Sequence, residues 1–330
     1  MRIIFDLRNV GLGNNGGSST LVQSGNVLTE LGHEIFFIDS MKNKYRWTPL
    51  KCEHKIIKSK KDLPVADFII ATGYKSVKST ILSPPECGRK LHWIRAFETW
   101  QMPEKEIVSK ILRVKTIKLV NSICLQNRLQ RYGVKSYIVR PGYDFEDLYP
   151  LDIRNNKKVV VLGGLYREGI HGQRKRVTWL LEAGKILKER YRNIQLWLFG
   201  SERDPNLPII DKYIRSPSMK EKNEFYNQIN IWLAPTMSEG LHLPPAEAMI
   251  TECPVVGTSA ELSGLQDYLI NMQTGFMTKD SLDEFITGID LLYNNKELRK
   301  EFGENARKKI LELGSRKDNM KKFIDLLGTL

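Results

Sequence analysis

The sequence predicts an α/β protein built from two Rossmann-like domains, and three observations carry that prediction. Residues 1–39 are ordered as strand, glycine-rich turn, helix and strand, the opening of a Rossmann-like unit. The same order starts again at the apolar run 159–162, which precedes a pair of glycines and a helix over 177–190. Residues 234–258 then form a loop, a helix and a short β-branched run, a pattern typical of a buried parallel strand.

The first domain is expected over residues 1–152. Residues 1–7 and 34–39 are strands around a helix that Ser18, Ser19 or Thr20 caps and that Gly32 ends. Further strands and helices follow, and the polar segment 150–157 is the expected linker. The remaining elements are strands at 67–72, from 90, at 116–121 and at 137–139, and helices at 103–113 and 125–132.

The second domain is expected over residues 153–314, with 315–330 as a separate terminal helix. Its first strand precedes the basic loop 165–176, whose position at a strand end favours a role in binding. Its other elements are strands at 195–199, 231–234 and 254–258, and helices at 177–190, 224–229, from 244, at 280–294 and at 296–313.

Composition indicates a folded globular protein, with 41% hydrophobic and 27% charged residues. The four cysteines are scattered without metal-ligand spacing, so we expect reduced core thiols: Cys52, Cys87, Cys124 and Cys253. Met1 leads directly into a strand, and no apolar run is long enough to span a bilayer. These features predict a cytoplasmic protein.

The formal charge of +13 is concentrated in the first half of the chain. Residues 1–155 contain 25 Lys and Arg against 15 Asp and Glu, whereas the rest contain 26 against 23. This excess is compatible with nucleic acid, with an anionic membrane surface, with a phosphorylated acceptor, or simply with solvated lysines. Segment 41–62 could bind nucleic acid, but a solvated excursion is favoured there. The amphipathic helix 103–113 could contact a membrane, although a surface helix is again favoured.

Residues 234–258 contain the clearest candidate site. Glu239 and Glu247 stand on either side of a helix start, with a turn at Gly240 and prolines suited to the first helical positions. A helix N-terminus binds anions, and ionised carboxylates accept hydrogen bonds from neighbouring hydroxyls. The spacing of the two glutamates alone carries little weight, but the joint pattern fits a nucleotide diphosphate sugar.

This stretch resembles the E-x7-E region of the retaining GT-B glycosyltransferases of family 4, the glycogen-synthase-like group. The resemblance implies two Rossmann-like domains facing each other across a cleft, with a C-terminal helix that crosses back to the first domain. It assigns the donor sugar to Glu239, the ribose to Glu247 and the diphosphate to the backbone between them, at Gly240, Leu241, His242 and Leu243. His242 departs from the pattern, because the family usually has a second glycine there.

The resemblance assigns further residues outside this stretch. Gly16 and Gly17 take the place of a family Gly-Gly that lets the donor approach the backbone. Lys175 aligns with a diphosphate-binding lysine, and Arg167 is the nearest substitute for a missing arginine, while Arg174 and Arg176 could share that work. His92, Arg95 and Glu98 are acceptor-side candidates, because they lie near a strand end that lines the cleft.

The resemblance implies a glycosyltransferase of the hexosyl type, acting with retention in glycan or glycoconjugate synthesis. No Asp-x-Asp motif occurs, so cations and the helix N-terminus replace a metal, and no cofactor beyond the donor is expected. The expected acceptor is a glycan, a lipid-linked molecule or a protein, and a peripheral contact of the basic domain with an anionic membrane stays open. The alternatives are an epimerase of the same fold and a basic nucleic-acid-binding protein without catalysis; nucleic acid is the less favoured partner.

Overall fold

The computed structural model describes residues 1–153 and 159–330, and these residues form two compact units. The first unit contains residues 1–142 and 316–330, and the second contains residues 143–315. The division after residue 142 falls ten residues before the boundary expected from the sequence. Of the expected linker 150–157, residues 154–157 lie outside the described part of the chain.

The first unit has a parallel seven-stranded sheet in the order β3-β2-β1-β4-β5-β6-β7. Its strands and helices are β1 (Arg2–Asp6), α1 (Gly16–Glu30), β2 (Glu34–Asp39), β3 (Glu53–Ile56), β4 (Phe68–Ala71), α2 (Tyr74–Ile81), β5 (Arg89–Ile94), α3 (Glu104–Ile107), β6 (Ile117–Val120), α4 (Ile123–Gln130) and β7 (Ser136–Ile138). The central strands are buried on both faces, as a covered parallel sheet requires.

Helix α1 starts earlier than the sequence analysis expected. Its N-cap is Asn15, whose side chain accepts a hydrogen bond from the Ser18 amide at 2.9 Å. An Asn side chain satisfies one of the free N–H groups of the first turn. The expected caps Ser18, Ser19 and Thr20 are therefore wrong, and Gly16 and Gly17 belong to the first turn of the helix.

The second unit has a parallel six-stranded sheet in the order β10-β9-β8-β11-β12-β13. Its strands and helices are β8 (Val160–Leu165), α5 (Gly169–Lys175), α6 (Val177–Arg190), β9 (Ile194–Gly200), β10 (Lys212–Arg215), α7 (Met219–Gln228), β11 (Ile231–Ala234), α8 (Leu243–Ile250), β12 (Val255–Thr258), β13 (Gly275–Thr278), α9 (Leu282–Asn294) and α10 (Lys296–Leu313). Residue 163, inside β8, is a glycine, and a Cβ at this position would come within 2.7 Å of the Ile229 side chain.

The last helix, α11 (Arg316–Thr329), belongs to the first unit. Met320, Phe323 and Leu327 project from it into the core of that unit, and the Phe323 ring stacks on Trp93 at 6.0 Å between ring centroids. The return of the C-terminal helix to the first domain, expected from the resemblance, is confirmed.

The segment 103–113 is helical but has no free apolar face. It continues from α3 into a π-helical turn at Val108–Leu112, and its residues Ile107, Ile111 and Leu112 are buried. The apolar side of this helix therefore packs into its own unit. Among the described residues, no helix combines the length and the apolar character that crossing a bilayer requires. All four cysteines are buried and none forms a disulfide.

Candidate functional site

Glu239 lies in the loop between β11 and α8, and a neighbouring loop holds its backbone in place. Its amide donates to the Leu262 carbonyl at 2.8 Å, and Ser238 forms an isolated parallel bridge with the same residue. The carboxylate of Glu239 is thereby fixed beyond the carboxyl end of β11, in front of the start of α8. Carboxyl ends of parallel strands are where open α/β sheets bind their ligands.

Two basic side chains from helix α5 reach this carboxylate. The Lys175 ammonium donates to Glu239 Oε1 at 2.5 Å, and Arg174 Nη2 lies 3.7 Å from the same oxygen. Arg174 Nη2 also donates to the Ser238 carbonyl at 3.0 Å, and the Met237 amide donates to the Arg174 carbonyl at 2.9 Å. Residues 64 positions apart therefore form one cluster, held through both backbone and side chains.

The cluster keeps Glu239 ionised. Burial alone would raise the pKa of Glu239, but Lys175, His242 and Arg174 outweigh burial and lower that pKa to about 2. The side chains of Lys175 and Glu239 are only 15% and 19% exposed, so water screens their attraction weakly. The site is therefore a carboxylate with cations around it, and it holds a fixed charge pattern before any ligand arrives.

His242 is the N-cap of α8 and has the left-handed backbone conformation, with φ of 57°. Glycine adopts this conformation most readily, which explains why a glycine suits the position. The His242 side chain is buried, and its Nδ1 atom has no hydrogen-bond partner. Burial, with Lys175 next in effect, lowers the pKa of His242 to about 3, so the imidazole is neutral near pH 7.

Helix α8 begins directly after His242 and runs through Pro244 and Pro245 in its first turn. Proline fits there because the first helical N–H groups have no intrahelical acceptor. The Tyr268 hydroxyl donates to the His242 carbonyl at 2.6 Å and fixes the turn. The predicted helix start after Gly240 is therefore present, four residues beyond Glu239 in the chain.

Glu247, the second glutamate, lies within α8, and two side chains from α7 hold its carboxylate. The Tyr226 hydroxyl donates to Glu247 Oε2 at 2.7 Å, and the Lys222 ammonium lies 3.6 Å from the same oxygen. Burial and then the nearby carboxylate raise the pKa of Tyr226 well above its ordinary value, so the hydroxyl keeps its proton and remains a donor. Both of these contacts are made by Oε2 of Glu247, and neither involves its Oε1 atom.

Arg167 and Arg176 do not join the Glu239 cluster. Arg167 Nε lies 2.8 Å from Glu202 Oε1, and its Nη1 atom donates to Ser201 Oγ at 2.9 Å. Arg176 pairs with Asp280 and stacks over the Trp179 ring at 4.1 Å. Of the four basic residues considered in loop 165–176, the structure brings Arg174 and Lys175 to Glu239.

The first-unit candidates form a separate group. Arg95 follows β5 and donates from Nη1 to the Gly17 carbonyl and from Nη2 to the Thr72 carbonyl at 2.9 Å. A cavity of about 300 Å³ lies beside it and includes Gly17 in its lining. Gly16 is not among its lining residues, and a Cβ at Gly16 would meet no atom within 4 Å.

His92 and Glu98 are placed differently from Arg95. His92 is fully buried in β5 beside Tyr74, and neither ring nitrogen has a hydrogen-bond partner. Burial, followed by Lys118 and Arg95, lowers the pKa of His92 to about 3. Glu98 is half-buried, and its amide donates to the Tyr74 hydroxyl at 3.3 Å. Neither His92 nor Glu98 lines the cavity beside Arg95.

Sequence reasoning missed three residues that hold the candidate side chains, namely Tyr226, Glu202 and Asp280. Tyr226 lies in an amphipathic helix and looks like an ordinary core aromatic. Glu202 and Asp280 gave a usable signal, because each follows the end of a strand, β9 and β13 respectively. Charged residues at such ends face the binding edge of a parallel sheet.

Residues 156–295 match the family model described as glycosyl transferases group 1. This range covers most of the second unit and includes Lys175, Glu239 and Glu247. The capsular polysaccharide biosynthesis glycosyltransferase CapM of Staphylococcus aureus is 27% identical over 182 residues, which is 50% of this chain and 44% of CapM. The chain thus spans less than half the length of this curated relative. It also matches an uncharacterized glycosyltransferase of Haemophilus influenzae, and there too the match covers 44% of the relative's length.

Solved structures match the whole chain at low identity. Anabaena HepE in complex with UDP-glucose superimposes with a TM-score of 0.78 at 13% identity, covering 100% of both chains. The sucrose-phosphate synthase of Thermosynechococcus elongatus gives a TM-score of 0.75 at 15% identity, covering 100% of this chain and 99% of the other. The fold is GT-B. The likeness to glycosyltransferases in sequence comes from the family model and from CapM, and neither of them is an epimerase or a nucleic-acid-binding protein.

Proposed function

We propose that the protein transfers a glycosyl group from a nucleotide diphosphate sugar to an acceptor hydroxyl, with retention and without a metal ion. The observation that carries the proposal is the cluster of Lys175, Arg174 and Glu239 in front of the α8 N-terminus. It combines cations for a diphosphate with a carboxylate for sugar hydroxyls. HepE, which has the same fold, was solved in complex with UDP-glucose, and uridine nucleotides are therefore the first donors to test.

In the proposed reaction, the bond between the anomeric carbon and the β-phosphate oxygen breaks, and its electron pair stays on the diphosphate. Negative charge grows on that oxygen, and stabilising it is the hard step. Lys175 and the free N–H groups of α8 supply positive charge there. The acceptor oxygen bonds to the anomeric carbon on the face that the diphosphate leaves, and the acceptor proton passes to the departing phosphate.

Lys175 changes partner in this scheme. It is bonded to Glu239 at 2.5 Å, and a bound diphosphate would attract it more strongly because it offers a larger negative charge. Glu239 then accepts hydrogen bonds from the sugar hydroxyls, and its low pKa keeps it an acceptor. Binding of the diphosphate and orientation of the sugar are therefore coupled through one ion pair.

Glu247 is the proposed acceptor for the ribose hydroxyls. Tyr226 occupies one of its carboxylate oxygens at 2.7 Å, so the orientation of the carboxylate is set before the nucleotide binds. We keep Gly240, Leu241, His242 and Leu243 as the donor-binding backbone and Arg167 as a second diphosphate cation, which must first exchange its contact with Glu202.

The decisive experiment is a thermal-shift panel with UDP, GDP, ADP, CDP and dTDP, followed by transfer assays with the sugar nucleotides of the base that stabilises most. At 100 times its Kd, a nucleotide adds about 2.7 kcal/mol to the unfolding free energy. We expect one base to stand out, product with the donor's anomeric configuration by NMR, and unchanged turnover in EDTA. Stabilisation by none of the five nucleotides contradicts the proposal, and loss of turnover in EDTA contradicts its metal-free form.

A further inference from the structure

The first unit carries most of the positive charge of the protein. Residues 1–142 and 316–330 contain 28 Lys and Arg against 13 Asp and Glu, a formal charge of +15. The second unit, which holds the proposed donor cluster, contains 23 against 25, a formal charge of −2. The charge excess is therefore not explained by the cations around Glu239.

The cavity of about 300 Å³ in the first unit gathers part of this charge. Its lining includes Lys42, Lys44 and Arg95 and no acidic residue. Lys42 and Lys44 are exposed, and neither is within ion-pair distance of a carboxylate in the described residues. Asn15 and Ser18 at the start of α1 complete one wall, so the positive end of a 15-residue helix faces the same space.

Arg95 is the most constrained of the three cations. Its guanidinium is held by two neutral carbonyls, those of Gly17 and Thr72, and its Nε atom is buried without a hydrogen-bond partner. Burial lowers the pKa of Arg95 to about 10, and the more distant Glu98 offsets only part of this effect. A half-buried cation without a carboxylate at hydrogen-bond distance gains stability when an anion binds beside it.

We propose that this cavity binds an anionic group, a phosphate or a carboxylate, carried by the acceptor substrate. The inference rests on the proposed transfer reaction and departs from the resemblance, which gives Gly17 of this lining to the donor. If Lys175 in the second unit holds the donor diphosphate, the cations of the first unit are left to the other substrate. Arg95 forms the fixed floor of this site, and Lys42 and Lys44 close over the anion from the loop after β2. Two flexible ammonium groups suit either a phosphate or a carboxylate, so the class is an anionic acceptor.

Lysine labelling tests the site directly in the intact protein. Acetylation of individual lysines is followed by mass spectrometry at constant ionic strength, alone and with glucose 6-phosphate, glucuronate or methyl glucoside. We expect at least threefold slower labelling of Lys42 and Lys44 with one or both anionic sugars, and no change with methyl glucoside. Lys60 and Lys61, exposed on the same unit, are internal controls whose labelling stays constant.

The three sugars separate the sources of the anion. Protection by glucose 6-phosphate alone assigns a phosphate, protection by glucuronate alone assigns a carboxylate, and equal protection by all three sugars contradicts an anion site. Absence of protection with both anionic sugars also overturns the proposal. The variant K42Q/K44Q should bind the anionic sugar at least tenfold more weakly by calorimetry, whereas K60Q/K61Q should bind like the wild type.

A failure here is distinguishable from a failure of the proposed transfer reaction. Stabilisation by nucleoside diphosphates depends on the second unit and should be the same in K42Q/K44Q and in the wild type. If nucleotides stabilise the protein but the anionic sugars do not protect Lys42 and Lys44, the proposal of an anionic acceptor is wrong and the proposed transfer reaction still stands. Protection without nucleotide stabilisation leaves an anion site but removes the assignment of that anion to an acceptor.

Discussion

At the scale of single residues, the candidate site depends on ion pairs between distant parts of the chain. Lys175 and Glu239 are 64 positions apart, and no spacing rule brings them together. Their meeting follows from strand order, because β8 and β11 are neighbours and the loops after their carboxyl ends must adjoin. The sequence supplied Lys175 and Glu239 through the resemblance, but it could not supply Glu202 as the partner of Arg167, which depends on side-chain rotamers.

The variant K175M tests the diphosphate cation. We expect kcat to fall about 10²- to 10³-fold, as when one preorganised transition-state donor is removed. Methionine keeps most of the length of the side chain and removes its charge together with its N–H donors. Steady-state kinetics with the best sugar nucleotide measure the effect, and K185M, an exposed lysine of α6, is the matched control. A K175M enzyme within threefold of wild-type kcat would exclude Lys175 from this role.

The variant Y226F tests whether Glu247 is held in place by its neighbour. Loss of the 2.7 Å hydrogen bond frees the carboxylate to rotate, and a hydrogen bond to a charged group contributes about 1.5–3 kcal/mol. Because ribose binding is the same in the ground and transition states, we expect donor KM to rise about tenfold or more with kcat within twofold. Y149F, which changes an exposed tyrosine of the same unit, should leave both constants unchanged. A fall in kcat at constant KM would contradict the positioning role.

At the scale of elements, the central strands and the long helices were predicted from the sequence, whereas the edge strands β3 and β10 were missed. β3 and β10 contain charged and half-buried residues, so they lack the apolar run that identifies a buried strand. Residues 165–176 were predicted as a loop, but they contain helix α5. Within this helix Gly172 is required, because a Cβ there would come within 2.2 Å of the Arg167 carbonyl oxygen. Edge strands and short helices depend on their neighbours more than on their own composition.

Helix α8 provides a prediction about its unusual start. In H242G, the left-handed φ of 57° costs glycine little, and the unpartnered Nδ1 atom disappears. In H242A the same atom disappears but the strained backbone stays, so we expect H242A to be about 1 kcal/mol less stable than H242G in urea unfolding. Equal stabilities would show that the backbone at residue 242 relaxes and carries no strain.

The same pair of variants tests donor selection. The buried imidazole occupies space beside Glu239 that a glycine would leave open, so it should restrict the size of the sugar. We expect H242G to raise the ratio of kcat/KM for UDP-N-acetylglucosamine over UDP-glucose at least fivefold, since the first sugar carries the larger substituent. An unchanged ratio in both variants would place His242 outside the sugar pocket.

At the scale of the whole molecule, the two units share one architecture but differ in charge. Each has a parallel sheet whose middle strands are buried on both faces, and each also buries one histidine whose pKa is lowered to about 3, His92 in the first unit and His242 in the second. The sequence showed the repeated architecture through its two glycine-rich openings. It could not show the burial of the histidines, because burial depends on which elements pack against His92 in β5 and against His242 at the start of α8, not on their neighbours in the chain.

Both units should therefore lose stability as the pH falls below 6.5. The unfolded chain binds a proton on each histidine near pH 6.5, whereas the folded protein does not until about pH 3. The stability that each neutral histidine contributes to the folded protein is fully present above pH 6.5. It is lost progressively as the pH falls toward 3, and the free energy of unfolding then falls by up to about 1.4 kcal/mol per pH unit for each histidine. Urea unfolding at pH 7.0, 6.0 and 5.0, a range that lies above most carboxylate titrations, measures this slope.

The variant H92L isolates the first unit in that experiment. Leucine has a similar volume, fits the apolar surroundings of β5 and carries no titratable group, so the pH dependence from this position disappears. Between pH 6 and 5 the unfolding free energy of the first unit should fall in both proteins. We expect the fall to be smaller in H92L than in the wild type, by about 1.4 kcal/mol per pH unit. Identical slopes would mean that His92 takes up a proton within the folded sheet, which its full burial beside Lys118 makes costly.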